Sequence, residues 1–265
     1  MSEGNTNIKE LLEFYVLSGV DETCGNAALC LPEQKSGQSV ATDNVQPAVG
    51  SGRPAMSPLA LSSAAAVKNA DDLCREVRTI DELRRVVEDF DGCPLKYNAK
   101  HTVIGDGNPA AKIMFVGEAP GAEEDLAGKA FVGRSGRLLD KMLAAIGLDR
   151  TLCYICNILP WRPPGNRSPS DAEIAVCLPF LKKQIEIVNP DYIFVLGAVA
   201  ANSLLGNTDG ISRLRSKWMI YETASGRQIK VLAGYHPAYL LRTPAQKAKA
   251  WADFLRLKKA MEENN

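Results

Sequence analysis

Downstream of residue 112 the chain alternates short apolar runs with stretches of helical periodicity. Lys112–Gly117 (KIMFVG), Tyr154–Leu159, Asp191–Gly197 (DYIFVLG) and Ile229–Gly234 read as buried strands of a mostly parallel sheet. Helical patterns lie between them at about 135–146, 171–188 and 198–205, with a last one at 244–262. This rhythm predicts a three-layer α/β/α sandwich around a central four-stranded, mostly parallel sheet. In open sheets of this kind ligands bind beyond the carboxyl ends of the strands, so the residues just past each strand matter most.

Upstream the pattern differs. Residues 7–20 read as a short amphipathic helix within an N-terminal segment, 1–24. Residues 25–70 are rich in Ser, Ala, Gly, Pro and Gln with little periodicity, which predicts a disordered linker, because such a composition buries too little apolar surface to offset ordering entropy. Thr79-Ile80-Asp81-Glu82 is a capping box opening a helix over Ile80–Phe90, inside a domain expected to span 71–265.

Composition changes the picture only when it is divided. The 265 residues carry 31 basic and 31 acidic side chains, a neutral total that argues against a polyanion partner. Residues 1–91, however, hold 8 basic and 15 acidic groups, net −7, whereas residues 126–170 carry +5 and residues 213–259 carry +9. The segregation suggests a polyanion-binding body with an acidic appendage. The apolar run Phe14–Leu17 is too short for a signal peptide, and no stretch reaches 18 apolar residues, so neither export nor a membrane span is expected. The seven cysteines are odd in number and scattered, which fits reduced thiols in a cytosol.

At the strand ends, Gly105-Asp106-Gly107-Asn108-Pro109-Ala110 superficially matches a dinucleotide fingerprint, but Pro109 interrupts it and a strand comes next where a phosphate-binding helix would begin. The first strong strand runs into GEAPGAEED (117–125) and then FVGRSGRLLD (131–140). The second ends at Asn157, ahead of RPPGNR (162–167), and the fourth runs into His236-Pro237-Ala238-Tyr239-Leu240-Leu241-Arg242.

These motifs resemble the type 4 uracil-DNA glycosylases, over roughly residues 80–258. The resemblance implies an enzyme that flips uracil from single- or double-stranded DNA and hydrolyses its N-glycosidic bond, initiating base excision repair. Asn157 would read the base, accepting from N3–H and donating to O4, a pattern that cytosine reverses. Phe131 matches the stacking aromatic, and Gly117 and Gly121 would border the base. Glu124 would lie at C5 and help exclude thymine's methyl group. His236 would stabilise the departing uracil anion and Glu118 would orient water or contact the sugar. Arg134, Arg167 and Arg242 would hold phosphates, with Tyr239 and Leu240 as a wedge in the vacated stack.

Type 4 enzymes typically hold a four-iron, four-sulfur cluster on four cysteines. Cys93 and Cys177 match that pattern, but Phe90 and Trp161 occupy the other two positions, so no metal cofactor is expected. Cys153 and Cys156 fall on or beside a strand, pointing to opposite faces, and make a poor chelating pair. The chain is expected to be a monomer; the short helix and acidic tract of its N-terminal segment would allow a contact to a repair protein, but simple disorder is the favoured reading. Two other readings stay open on the residues alone: a non-catalytic damaged-DNA-binding protein, and a glycosylase for another deaminated base such as hypoxanthine.

Overall fold

The computed structural model describes residues 63–263. Six strands form one mixed sheet: β1 (Gly105–Gly107), β2 (Ile113–Gly117), β3 (Tyr154–Asn157), β4 (Tyr192–Leu196), β5 (Trp218–Glu222) and β6 (Gln228–Gly234), in the order β1-β3-β2-β4-β6-β5. The inner four, β3-β2-β4-β6, are parallel and coincide with the four apolar runs, while β1 and β5 add an antiparallel strand at each edge.

The expected sheet of four strands is therefore corrected to six. Neither edge strand carries the sequence mark of a buried one: β1 is Gly-Asp-Gly, and Trp218, Ile220 and Glu222 of β5 are exposed. Glycine explains how β1 fits. A Cβ on Gly105 would lie 2.4 Å from the Tyr154 hydroxyl. Gly107 has φ +99°, and a Cβ there would meet the Cys153 carbonyl at 2.3 Å.

Helices cover both faces. The described residues contain α1 (Ser63–Cys74), α2 (Ile80–Asp89), α3 (Ala122–Ala127), α4 (Arg134–Ala145), α5 (Asp171–Val188), α6 (Ala198–Leu205), α7 (Ile211–Leu214), α8 (Pro237–Arg242) and α9 (Lys247–Glu262). The expected capping box is present: the Thr79 hydroxyl accepts from the Glu82 amide while the Glu82 carboxylate accepts from the Thr79 amide. Strand periodicity divides the core in two. Met114, Val116, Cys156, Ile193 and Val231 face one cluster with Leu83 and Phe180, and Phe115, Ile155, Phe194 and Leu232 face another with Leu139 and Phe254. Cys153 and Cys156 fall in opposite clusters, as their spacing requires.

The expected linker is corrected at its end. Residues 63–70 belong to α1, which packs on α5 and buries Ala66, Ala70 and Cys74. Alanine lowers the apparent hydrophobicity of the segment yet lets two helices approach closely. The rest of the 25–70 stretch and the helix expected at 7–20 lie outside the described residues.

Candidate active site

The carboxyl ends of β2, β3 and β6 open into a cavity of about 560 Å³. Its lining brings together nearly all the residues singled out in the sequence: Glu118, Gly121, Glu124, Phe131, Arg134, Asn157, Arg167, His236, Tyr239 and Arg242.

Asn157 ends β3 in register with Gly117 at the end of β2. It is 3% exposed, and its Oδ1 is buried with no hydrogen-bond partner. An orphaned buried acceptor of this kind costs roughly 1–3 kcal/mol, which a ligand donor would recover. Gly117 makes the arrangement sterically feasible: a Cβ there would lie 2.4 Å from Asn157 Oδ1 and 2.5 Å from Phe131 Cζ.

Phe131 is 4% exposed, and its backbone takes the left-handed conformation with φ +54°. For a bulky residue that conformation costs roughly 1–3 kcal/mol, so surrounding contacts must hold it. Its ring lies 5.7 Å, centroid to centroid, from the His236 imidazole, and the planes are inclined by 33°.

His236 is the N-cap of α8, where its Nδ1 accepts from the Ala238 amide at 3.1 Å. Burial, assisted by the positive charge of Arg242, lowers its pKa from 6.5 to about 4. The ring is therefore neutral at pH 7. With Nδ1 occupied as an acceptor, the remaining proton sits on Nε2, which becomes a donor. Glu118 is half-buried at the cavity wall, and burial raises its pKa above the ordinary 4.5, partly offset by a hydrogen bond from Ser168. Ser168, not among the expected site residues, comes directly after the RPPGNR motif and also lines the cavity.

Other residues stand differently from expectation. Glu124 lines the cavity, but its Oε2 accepts from the Gly121 amide at 3.0 Å and its Oε1 from the Gly133 amide at 2.8 Å. It ties the two glycine loops together, and the Gly121 amide is thereby unavailable to a ligand. Leu240 is fully buried in the core, so it cannot serve as an inserting wedge. The turn of α8 exposes its neighbour Leu241 instead, at 36%. Tyr239 keeps its place on the cavity wall, its ring 5.1 Å from that of Tyr235. Arg167 is engaged in a two-pronged pair with Glu173, at 2.6 and 2.9 Å, whereas among the described residues no ion pair engages the guanidinium of Arg134 or Arg242.

The four positions that the resemblance assigned to cluster ligands fall in one buried core cluster. Cys177 donates to Cys93 across 4.0 Å, a bond that together with burial pushes the Cys177 thiol up. Phe90 and Trp161, each at most 2% exposed, stack beside them at 6.5 Å with planes 14° apart, and Phe90 meets Phe180 edge-on at 5.1 Å. Trp161 Nε1 donates to the Thr102 hydroxyl at 3.1 Å. Among the described residues no group of three or more His, Cys, Asp or Glu side chains is placed to hold a metal.

A neutral ring donor, a buried orphan acceptor and an aromatic face around one cavity suit a flat heterocycle with donors and acceptors on its edge. Comparison with known proteins agrees. Residues 104–255 match the family model of the uracil DNA glycosylase superfamily. The chain is 40% identical over 186 residues to a type-4 uracil-DNA glycosylase of Archaeoglobus fulgidus, covering 68% of this chain and 92% of that protein. It is 42% identical over 172 residues to the type-4 enzyme of Thermotoga maritima, covering 62% and 86%.

Proposed function

The chain belongs to the uracil-DNA glycosylase superfamily, and from that premise we propose that it draws a uracil nucleotide out of DNA into the cavity and hydrolyses its N-glycosidic bond. It is a hydrolytic DNA glycosylase acting in DNA repair, and its macromolecular partner is uracil-containing DNA. The observation that carries the residue assignments is the unpartnered Oδ1 of Asn157, buried beside the Phe131 ring.

Asn157 Oδ1 accepts from uracil N3–H while its Nδ2 donates to O4. Cytosine offers an acceptor at N3 and a donor at the exocyclic amine, so both contacts would reverse and leave buried groups unpaired. Hypoxanthine carries the same pairing of a ring N–H beside a carbonyl, so these contacts reject cytosine alone and the choice of uracil rests on the family. Mere binding is disfavoured because a binder has no use for the neutral His236 donor. Phe131 stacks on the base. As the bond between N1 and C1′ lengthens, its electron pair withdraws into the uracil ring and gathers on O2, where the His236 Nε2–H is already oriented to donate. The sugar becomes cation-like at C1′; the Glu118 carboxylate faces that charge and holds the attacking water, whose oxygen forms the new bond to C1′ as its proton passes to the carboxylate and from there to the departing uracil anion. Arg134 and Arg242 grip the flanking phosphates without reading sequence, and Arg242 adds positive charge on the side where the uracil anion forms.

The residues present do not fit the family's iron–sulfur cluster. Two thiols stand where four are needed, and the other two positions are filled by packed aromatic rings that cannot ligate iron. The chain works without a cluster, and Phe90 and Trp161 replace its structural role. The protein acts as a cytosolic, nucleoid-associated monomer. Among the described residues no helix is long and apolar enough to cross a membrane.

The direct test is incubation with labelled single- and double-stranded oligonucleotides containing uracil, hypoxanthine or no lesion. Release of free uracil with an alkali-labile abasic site is the expected outcome. Tight binding without release, or preferential release of hypoxanthine, would overturn the proposal.

A further inference from the structure

The contacts that hold Phe131 in its left-handed conformation come from a residue outside the cavity. Arg150 lies between α4 and β3. Its Nη2 donates to the Phe131 carbonyl, and its Nη1 donates to the preceding Ala130 carbonyl at 3.0 Å. The same guanidinium is held from two other elements: Nη1 reaches Asp106 of β1 at 2.6 Å, and Nε reaches Asp140 of α4 at 2.8 Å. On its other side the Phe131 carbonyl rests against Gly136, where a Cβ would lie 1.6 Å from the oxygen. The Phe131 peptide is thus fixed between a glycine that leaves it room and an arginine that fills its carbonyl.

We propose that Arg150 is a positioning residue for uracil excision, a clamp that holds Phe131 where its ring stacks on the flipped base, with Asp106 and Asp140 fixing the clamp. The proposal rests on the reading of Phe131 as the stacking ring. It also gives Gly105-Asp106-Gly107, the sequence that imitated a phosphate loop, a definite role: its glycines allow the edge strand to close on β3, and its aspartate supplies one jaw's anchor. A planar guanidinium with several N–H donors can serve two carbonyls and two carboxylates together; an ammonium in its place keeps the charge but cannot span them all.

The geometry distinguishes a clamp from general scaffolding by what it leaves alone. Among the described residues the hydrogen bonds and ion pairs of Arg150 go to Asp106, Ala130, Phe131 and Asp140 and to neither of the proposed phosphate contacts, Arg134 and Arg242, so loss of the clamp is expected to act on the base and spare the grip on DNA.

The test uses the full chain and compares Arg150→Lys, Phe131→Ala and the double variant in uracil excision from an oligonucleotide, in inhibition by free uracil, and in binding to abasic DNA. Arg150→Lys is expected to lower kcat by at least about tenfold and to weaken inhibition by free uracil similarly, because small misplacements of a positioning group have large kinetic effects. KM for the DNA and affinity for abasic DNA should stay within about twofold, as expected when the lost contact serves the base alone. Adding Phe131→Ala should cause no further loss, since both changes remove the same ring from its place.

If Phe131→Ala itself excises uracil and binds free uracil like the wild type, the stacking reading fails. If Phe131→Ala is impaired while Arg150→Lys is not, or if the two losses multiply in the double variant, the clamp is overturned and the stacking reading stands. Should Arg150→Lys not fold, Asp140→Asn loosens the guanidinium without removing it. Weaker inhibition by free uracil in that variant, at unchanged abasic-DNA affinity, would support the clamp, and unchanged inhibition would overturn it.

Discussion

At Asn157 the two ends of a carboxamide have separate tasks, and exchanging one for a second oxygen isolates them. Asn157→Asp keeps an acceptor for N3–H but faces uracil O4 with lone pairs and places a negative charge beside the developing uracil anion. Excision should fall at least about tenfold, equivalent to about 1.4 kcal/mol of barrier, in single-turnover release of uracil. His236→Ala removes the donor to O2 and should cost at least about as much. His236 also leaves a signature in stability. Its pKa is about 4 in the fold against 6.5 ordinarily, so between those values the unfolded chain binds a proton that the folded chain refuses. Stability contributed at this position is present above pH 6.5 and declines as pH falls toward 4. Melting measured across that interval should show a shallower pH dependence in His236→Ala than in the wild type. Excision itself should show no limb near 6.5. Its acid limb belongs to Glu118, whose raised pKa places it above 4.5, and Glu118→Gln should remove that limb. Asn157 is legible because it ends an apolar strand, and Phe131 and His236 because each opens a long motif in the segment that follows a strand. The function of Glu124 is not legible, because it depends on two amides, of Gly121 and Gly133, that only the fold brings to one carboxylate. Leu240 fails as a wedge for a related reason: at α8 one residue's difference in helical phase separates the core from the surface.

The elements divide into those marked by apolar continuity and those defined by what they pack against. Three inner strands, β2, β3 and β4, are buried at every position, and β6 is buried from Val231 to Gly234, so their apolar runs read directly. The edge strands β1 and β5 exist because a neighbour supplies their hydrogen bonds, so a Gly-Asp-Gly triplet and a half-exposed Trp-Met-Ile-Tyr-Glu carry little signal of their own. Helix α1 is a similar case, since its alanines matter only when α5 lies opposite. The aromatic packing of Phe90, Trp161 and Phe180 joins α2, the loop after β3 and α5, three elements that cysteine ligands would otherwise tie through iron. If these rings carry the structural task, Trp161→Ala should destabilise the protein by about 3–5 kcal/mol, the usual effect of emptying a buried aromatic site, read as a lowered denaturation midpoint. Excision per folded molecule should change little, because Trp161 does not line the cavity. A variant as stable as the wild type would show that the rings merely occupy space.

Charge is organised on the scale of the whole molecule. Of the arginines in the two basic stretches, Arg137, Arg150, Arg162, Arg167, Arg213, Arg215, Arg227 and Arg256 pair with acids in the folded chain, so the field at the proposed DNA face is weaker than a count along the sequence implies. Arg134 and Arg242, which line the cavity, have no such pair among the described residues and are the arginines proposed to meet DNA phosphates. Against them stands the N-terminal stretch 1–62, with 7 acidic and 3 basic residues, net −4, which leaves +4 on the remainder. A tethered acidic segment competes with phosphate for the same cations, and the competition is strongest where screening is weakest. Truncation after residue 62 should therefore raise affinity for uracil-free duplex DNA at low salt, and the difference should vanish toward about 1 M salt, where the Debye length falls to about 3 Å. The cut belongs at 62 and not at 70, because Ala66, Ala70 and Cys74 of α1 are core residues, and losing them would confound binding with unfolding. Titration of both forms at several salt concentrations separates the outcomes. A vertical offset that closes with salt identifies a screening segment. Parallel lines with no offset at low salt mean that the acidic stretch leaves the binding face alone, and that the neutral total of the chain is a sum of parts that do not meet.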